Sequence, residues 1–159
     1  MGFKQSVISA KGCSSSDLCR HLGFDGPGTP TSDGLNVGVF AAETGDWATV
    51  AADGADHFHR LTPEMAATMD APVVLYFVNY EVTMDTELAV FADGDLVWRV
   101  HVHWEGMVDV TVQGAMPAEL REQLLELGDD ATYGFPQALL EHTTGFDLRE
   151  HRDVVLLHR

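Results

Sequence analysis

Two His-x-His spacings stand out in this chain of 159 residues: His57, Phe58, His59 and His101, Val102, His103, the second followed at once by Trp104 and Glu105. An imidazole can ligate a metal, carry a proton near neutral pH or pair with a carboxylate. Which of these is open to it depends on the side chains brought opposite, so the local pattern has to be read first. In residues 96–104, LVWRVHVHW, the even positions are Leu96, Trp98, Val100, Val102 and Trp104, and the odd ones are Val97, Arg99, His101 and His103. Side chains alternate faces along a strand. The apolar even set, Trp104 included, is therefore expected in the core, and both histidines share the polar face with Arg99.

Directly opposed residues of a hairpin lie on one face, which fixes the register. In residues 108–114 the core set is Val108, Val110 and Val112, so Trp104 should oppose Val108 across a loop of Glu105, Gly106 and Met107. His103 then faces Asp109, and His101 faces Thr111. On the other side, matching faces favours a three-residue loop of Asp93, Gly94 and Asp95, with Ala92 against Leu96, Val90 against Trp98 and Leu88 against Val100. Asp-Gly is also a strong signal for a two-residue turn, which competes with that loop. The longer loop sets Glu87 against His101 and Asp85 against His103.

Asp85, Glu87, His101, His103 and Asp109 are thus expected in one acidic, histidine-bearing patch, with Trp104 and Tyr80 near it as aromatic anchors. Opposed pairs come within about 5 Å at Cβ. Cross-strand pairing of histidine with acid on a solvated sheet face accounts for such a patch most simply. The alternative chemistry is metal binding: His101, His103 and Asp109 could hold zinc or another divalent transition metal. Neighbouring carboxylates would raise the histidine pKa by favouring imidazolium. The pair at His57 and His59 sits just before a helix signal, where Phe58 would anchor the loop and both imidazoles can be solvated. Ser14, Ser15 and Ser16 read as helix caps, because no G-x-S-x-G elbow surrounds them. Phosphate-loop, dinucleotide and C-x-x-C patterns are absent.

The elements that must position this patch are short. Residues 3–9 read as a strand, and residues 14–24 as a helix with serine caps, Leu18 and Leu22 on one side and a closing Gly23. Residues 25–34, DGPGTPTSDG, form the longest loop. Strands follow at 35–42 and 47–52, separated by a turn over 43–46. A helix then starts at Thr62 and Pro63 and runs to about Asp70. A meander covers about 72–114, with the nearly all-apolar run 73–80 as a strand buried on both faces. The end is helical, at 117–128 with Leu120, Leu124 and Leu127 on one side, and at about 136–143, before a last apolar run at 154–157. The pattern predicts one α+β domain over residues 1–159, a central mostly antiparallel sheet packed by short helices, two of them C-terminal.

Composition narrows the function classes. There are 25 acidic and 9 basic residues, a net charge of −16, with two lysines, Lys4 and Lys11. Phosphate neutralisation needs Lys and Arg, so nucleic acid and anionic membrane are disfavoured as partners. The same field favours a basic protein by long-range steering. No apolar run approaches the roughly 20 residues of a membrane span. The first residues lack the apolar core of a signal peptide. Cytoplasm is the expected compartment, with Cys13 and Cys19 reduced.

The opening MGFKQSVISAKG, then DLCRHLGF at 17–24, Trp47, the meander with Trp98 and YGFPQALLEHTTGFD at 133–147 together resemble an uncharacterised family of small bacterial proteins. Its members share a Met-Gly-x-Lys-Gln-Ser start, a tryptophan-bearing strand and a proline-led helix before Thr-Gly-Phe. The resemblance implies no known activity and lends no catalytic residue. From the residues themselves, the leading expectation is a cytoplasmic binding protein of immunity or antitoxin type, without cofactor, that neutralises a basic protein. The alternatives are a metal-dependent enzyme using the histidine and acid cluster, and a small-molecule sensor with residues 25–34 as a lid. The pattern leaves the oligomeric state open.

Overall fold

Eight segments of alternating or continuous apolar residues are strands: β1 (Lys4–Lys11), β2 (Gly38–Thr44), β3 (Trp47–Asp53), β4 (Val74–Tyr80), β5 (Asp85–Ala92), β6 (Asp95–Trp104), β7 (Val108–Gly114) and β8 (Val155–Leu157). The computed structural model describes residues 4–24, 38–54 and 56–148, and the backbone of 155–157. The strands form a single sheet in the order β7-β6-β5-β4-β1-β3-β2-β8, and every neighbouring pair is antiparallel. The meander β4 to β7 is as expected from the pattern. The chain's first strand lies in the sheet's interior, between β3 and β4. The loop at 25–34 and residues 35–37 of the expected second strand lie outside the described residues.

Helices cover both faces, unequally. On the first face, Leu18, Cys19 and Leu22 of α1 (Ser15–Leu22) and Ala66 of α2 (Pro63–Ala67) pack on Ile8, Val50, Tyr76, Ala89 and Phe91. Ser14 caps α1 by accepting from the Asp17 N–H, and Gly23 closes it in the left-handed region, the arrangement that satisfies end groups a helix cannot bond itself. Thr62 caps α2 in the same way. On the second face, Leu124 of α3 (Ala118–Glu126) and Phe135 and Leu140 of α4 (Asp129–Thr144) pack on Val7, Phe77, Leu88, Trp98 and Val100. The first-face cluster ends at β5, and no residue of β6 or β7 belongs to it. Among the described residues no helix covers that side of β6 and β7.

Three expectations need correction. The last helix is not a short segment from Pro136 but sixteen residues from Asp129, with Pro136 inside it. An interior proline removes one backbone bond, yet Phe135 and Pro136 are both buried, and the packing of Phe135 in the second-face cluster holds the helix through that point. The β2–β3 turn is the two residues Gly45 and Asp46, since Thr44 already pairs with Trp47. The β5–β6 hairpin combines both of the competing readings. Ala92 pairs with Asp95, so the turn is Asp93-Gly94, both with positive φ, the backbone of a type I′ turn. A bulge between Val90 and Phe91 on one side and Leu96 and Trp98 on the other then restores Val90 to Trp98 and Leu88 to Val100. Turn chemistry decides the loop, and burial decides the strand. Leu96, expected in the core, sits beyond the bulge opposite Phe91 and is 37% exposed.

Candidate functional site

The register across β5, β6 and β7 places the histidines where alternation put them. Asp85 opposes His103, Glu87 opposes His101, and on the other side His103 opposes Asp109 and His101 opposes Thr111. One rung of the sheet thus reads Lys4, Tyr80, Asp85, His103, Asp109 across five strands. Trp104 pairs with Val108 around the loop of Glu105, Gly106 and Met107. Its ring lies 6.0 Å from that of Tyr133 in α4, so Trp104 belongs to the second face and is separated from the polar patch.

Within the patch Asp85 is the hub. Its Oδ1 accepts from His101 Nε2 at 2.9 Å and from His103 Nδ1 at 3.0 Å, and its Oδ2 accepts the Thr83 hydroxyl. His101 reaches Asp85 along the diagonal, because its directly opposed acid is otherwise engaged. Arg99 Nε stands 3.1 Å from Glu87 Oε1, an ion pair without hydrogen-bond alignment. His103 Nε2 lies 3.5 Å from Glu105. The four-residue turn that delivers Thr83 and Asp85 closes through Met84, whose φ of 54° is in the left-handed region, and whose carbonyl accepts from the Trp104 N–H at 3.0 Å. That bond ties the start of β5 to the end of β6.

The electrostatics follow from this geometry. Partial burial works to raise the Asp85 carboxyl, but hydrogen bonds from Thr83, His101 and His103 and the charge of His103 outweigh it and hold it below its ordinary range. The His103 imidazole is raised, first by its bond to Asp85 and then by the bond to Glu105. These are the two halves of one interaction: each group favours the charged form of the other.

As a metal centre, the expected set of His101, His103 and Asp109 does not come together. Both imidazoles turn to the same Asp85 oxygen, while Asp109 lies on the far side of β6 from Asp85. Among the described residues no group of three or more His, Cys, Asp or Glu side chains is placed to hold a metal ion. The other His-x-His pair flanks a 3-10 turn, Phe58–Arg60, where Phe58 stacks on Tyr80 with ring centroids 5.2 Å apart. Phe58 is the anchor expected of it. Cys13 and Cys19 are free thiols.

Three features escaped the sequence reading. Thr83 and Glu105 complete the hydrogen bonds of the patch, and the Thr-x-Asp and His-x-Glu spacings are their local signals. Asp53, at the end of β3, is 3% exposed and its carboxyl is pushed up by burial to about 6, against the pull of the Gly54 N–H. Nothing in the sequence around it marks it as buried. The third feature is a groove of ≈ 400 Å³ between β7 and the last two helices, lined by Val108, Val110, Val112, Leu124 and Leu125 among others. Leu125, next to the buried Leu124, cannot share its helix face, and that offset was its signal.

Architecture places the chain among α+β proteins built on one antiparallel sheet with helices on both faces. Compared with family models, curated proteins and solved structures, it matches none. None of these comparisons supports the resemblance to the small bacterial family. Among the described residues no helix is long and apolar enough to cross a membrane.

Proposed function

We propose that this protein is an acidic binding protein that engages and neutralises a basic protein partner in the cytoplasm, as immunity and antitoxin proteins do. The observation that carries this reading is the charge: 25 acidic residues against 9 basic, a net −16. The open face of β5 to β7 adds a local expression of it, with Asp85, Glu87, Glu105 and Asp109 against Arg99 alone of the arginines and lysines. A field of one sign steers an oppositely charged partner and speeds encounter more than it deepens the final well.

Capture from the source cells at low salt, followed by salt elution, tests the reading. The expected result is one strongly basic protein whose affinity falls about tenfold or more between about 0.05 and about 0.5 M salt. Expressed alone that protein should arrest growth, and co-expression should relieve the arrest. An affinity unchanged by salt, or a captured protein whose effect co-expression leaves intact, would overturn it.

A further inference from the structure

The sheet ends on β7, and among the described residues no strand pairs with its outer side. A free edge offers a row of backbone donors and acceptors to any extended chain, and natural proteins usually blunt it with lysine, proline, a bulge or extreme shortness. β7 has seven residues, Val-Asp-Val-Thr-Val-Gln-Gly, with no lysine, no proline and an unbroken register to β6. The strand at the other end, β8, is three residues long. Among the described residues the long edge is thus the less protected one, with Asp109 its one charged side chain.

Behind that edge lies the apolar groove. Val108, Val110 and Val112 point to the second face, where the cover by α3 and α4 is incomplete, and each is only partly buried. Leu124 closes the floor, while Leu125 beside it is 80% exposed. A strand added to β7 would place every second side chain over this groove, because successive residues alternate faces. The surroundings specify the sign of the rest. β7, α3 and the first turn of α4 carry Asp109, Glu119, Glu122, Glu126, Asp129 and Asp130, and their single basic residue is Arg121.

We propose that the outer edge of β7 and the groove between Val110 and Leu125 bind an extended, cationic segment of a protein partner, which adds to the sheet as a further strand. Its apolar side chains alternate into the groove, its lysines or arginines fall on the opposite face beside Asp109, and the acids of α3 and α4 attract its charge at longer range. Charge complementarity selects this occupant over a second copy of the chain, which would bring the same acids against each other in a protein of net charge −16. The inference rests on the basic-partner reading and specifies where and how that partner is held.

Two synthetic peptides test it, each with four lysines and four valines, one strictly alternating and the other with the lysines and valines in separate blocks. The full chain should bind the alternating peptide about tenfold more tightly than the block peptide of equal charge. Hydrogen exchange should slow at amides of β7 and not on the open histidine face. Leu125→Asn, which keeps the charge and alters an exposed site, should weaken the alternating peptide about fivefold and leave the block peptide unchanged. Equal binding of both peptides, with no protection at β7, would overturn the edge site while leaving the basic-partner reading intact. Failure of either peptide to bind at low salt, with the partner captured from cells also missing, would remove both. Protection at β7 that arises on concentrating the protein alone would mean a second copy fills the edge, and would overturn the proposal.

Discussion

Asp85 and Asp53 carry the same side chain into opposite circumstances. Asp85 opens β5 on the uncovered face, where a hydroxyl and two imidazoles donate to it, and its carboxyl is held below the usual range. Asp53 ends β3 on the other face, opposite Gln5 and in the row that continues to Asn79. Burial there raises it to about 6 and the Gly54 N–H offsets only part of that. Both acids have lost water. What separates them is the balance struck: at Asp85 hydrogen bonds and the charge of His103 outweigh the loss of water, and at Asp53 the loss of water outweighs the Gly54 bond. The open face therefore holds its charge firmly, and the buried end of β3 holds it at a cost.

The largest expected effect tests the costly side. Asp53→Asn keeps an acceptor for the Gly54 N–H and removes the charge. A carboxyl raised in the folded state contributes stability that is fully present below its unfolded pKa and is lost as pH rises through about 6. The substitution should then stabilise the protein by about 2 kcal/mol above neutral pH, and the gain should vanish near pH 4. Denaturant midpoints across that range check it. Equal stability of parent and variant at every pH would place Asp53 in the same class as Asp85 and end the contrast.

A smaller effect of opposite sign is expected at the other acid. Asp85→Asn should cost about 1 kcal/mol, the net worth of the charged hydrogen bonds it loses. Its pH window follows from the two shifts. The lowered Asp85 contributes stability present above its unfolded value and lost as pH falls through its folded one. The raised His103 contributes stability present below its unfolded value and lost as pH rises past its folded one. The cost should therefore peak between about pH 4 and about pH 6.5 and shrink on either side, as chemical denaturation at three pH values would show. A cost that grows steadily toward alkaline pH would contradict the assignment of Asp85 as the imidazole acceptor.

The smallest effect is local. Glu105→Gln should lower the His103 titration midpoint slightly, because the second-ranked acceptor loses its charge, while Asp85→Asn should lower it further. Ring-proton chemical shifts followed through the titration measure both. Reversal of that order would make Glu105, in the exposed loop, the dominant partner.

The histidine patch was largely legible in the sequence. Strict alternation in residues 96–104 and 108–112 left one register that kept Val100, Val102, Val110 and Val112 on one side, and the structure has it. The β5–β6 hairpin was legible in its strand and misread in its turn, because two local rules disagreed and a bulge satisfies both. The limits of α4 differ because Pro136 is a helix-start signal in isolation, and only tertiary burial of Phe135 and Pro136, with Phe135 packed in the second-face cluster, overrides it. The shared use of Asp85 by both imidazoles was not readable, since opposed positions specify neighbours but not which rotamer each side chain adopts.

By itself the sequence determined the α+β class, the antiparallel meander, the face on which His101 and His103 lie and the acidity of the surface. Each of these is a local or additive property, written in alternation, turn residues and charge. Only the tertiary structure decided that β1 sits between β3 and β4, that Asp53 is buried and that, among the described residues, helices leave one side of β6 and β7 uncovered and β7 is an edge strand beside an apolar groove. These depend on which distant segments meet. Pairing between remote strands has no signature in either strand alone, since any apolar partner of matching length satisfies the same alternation.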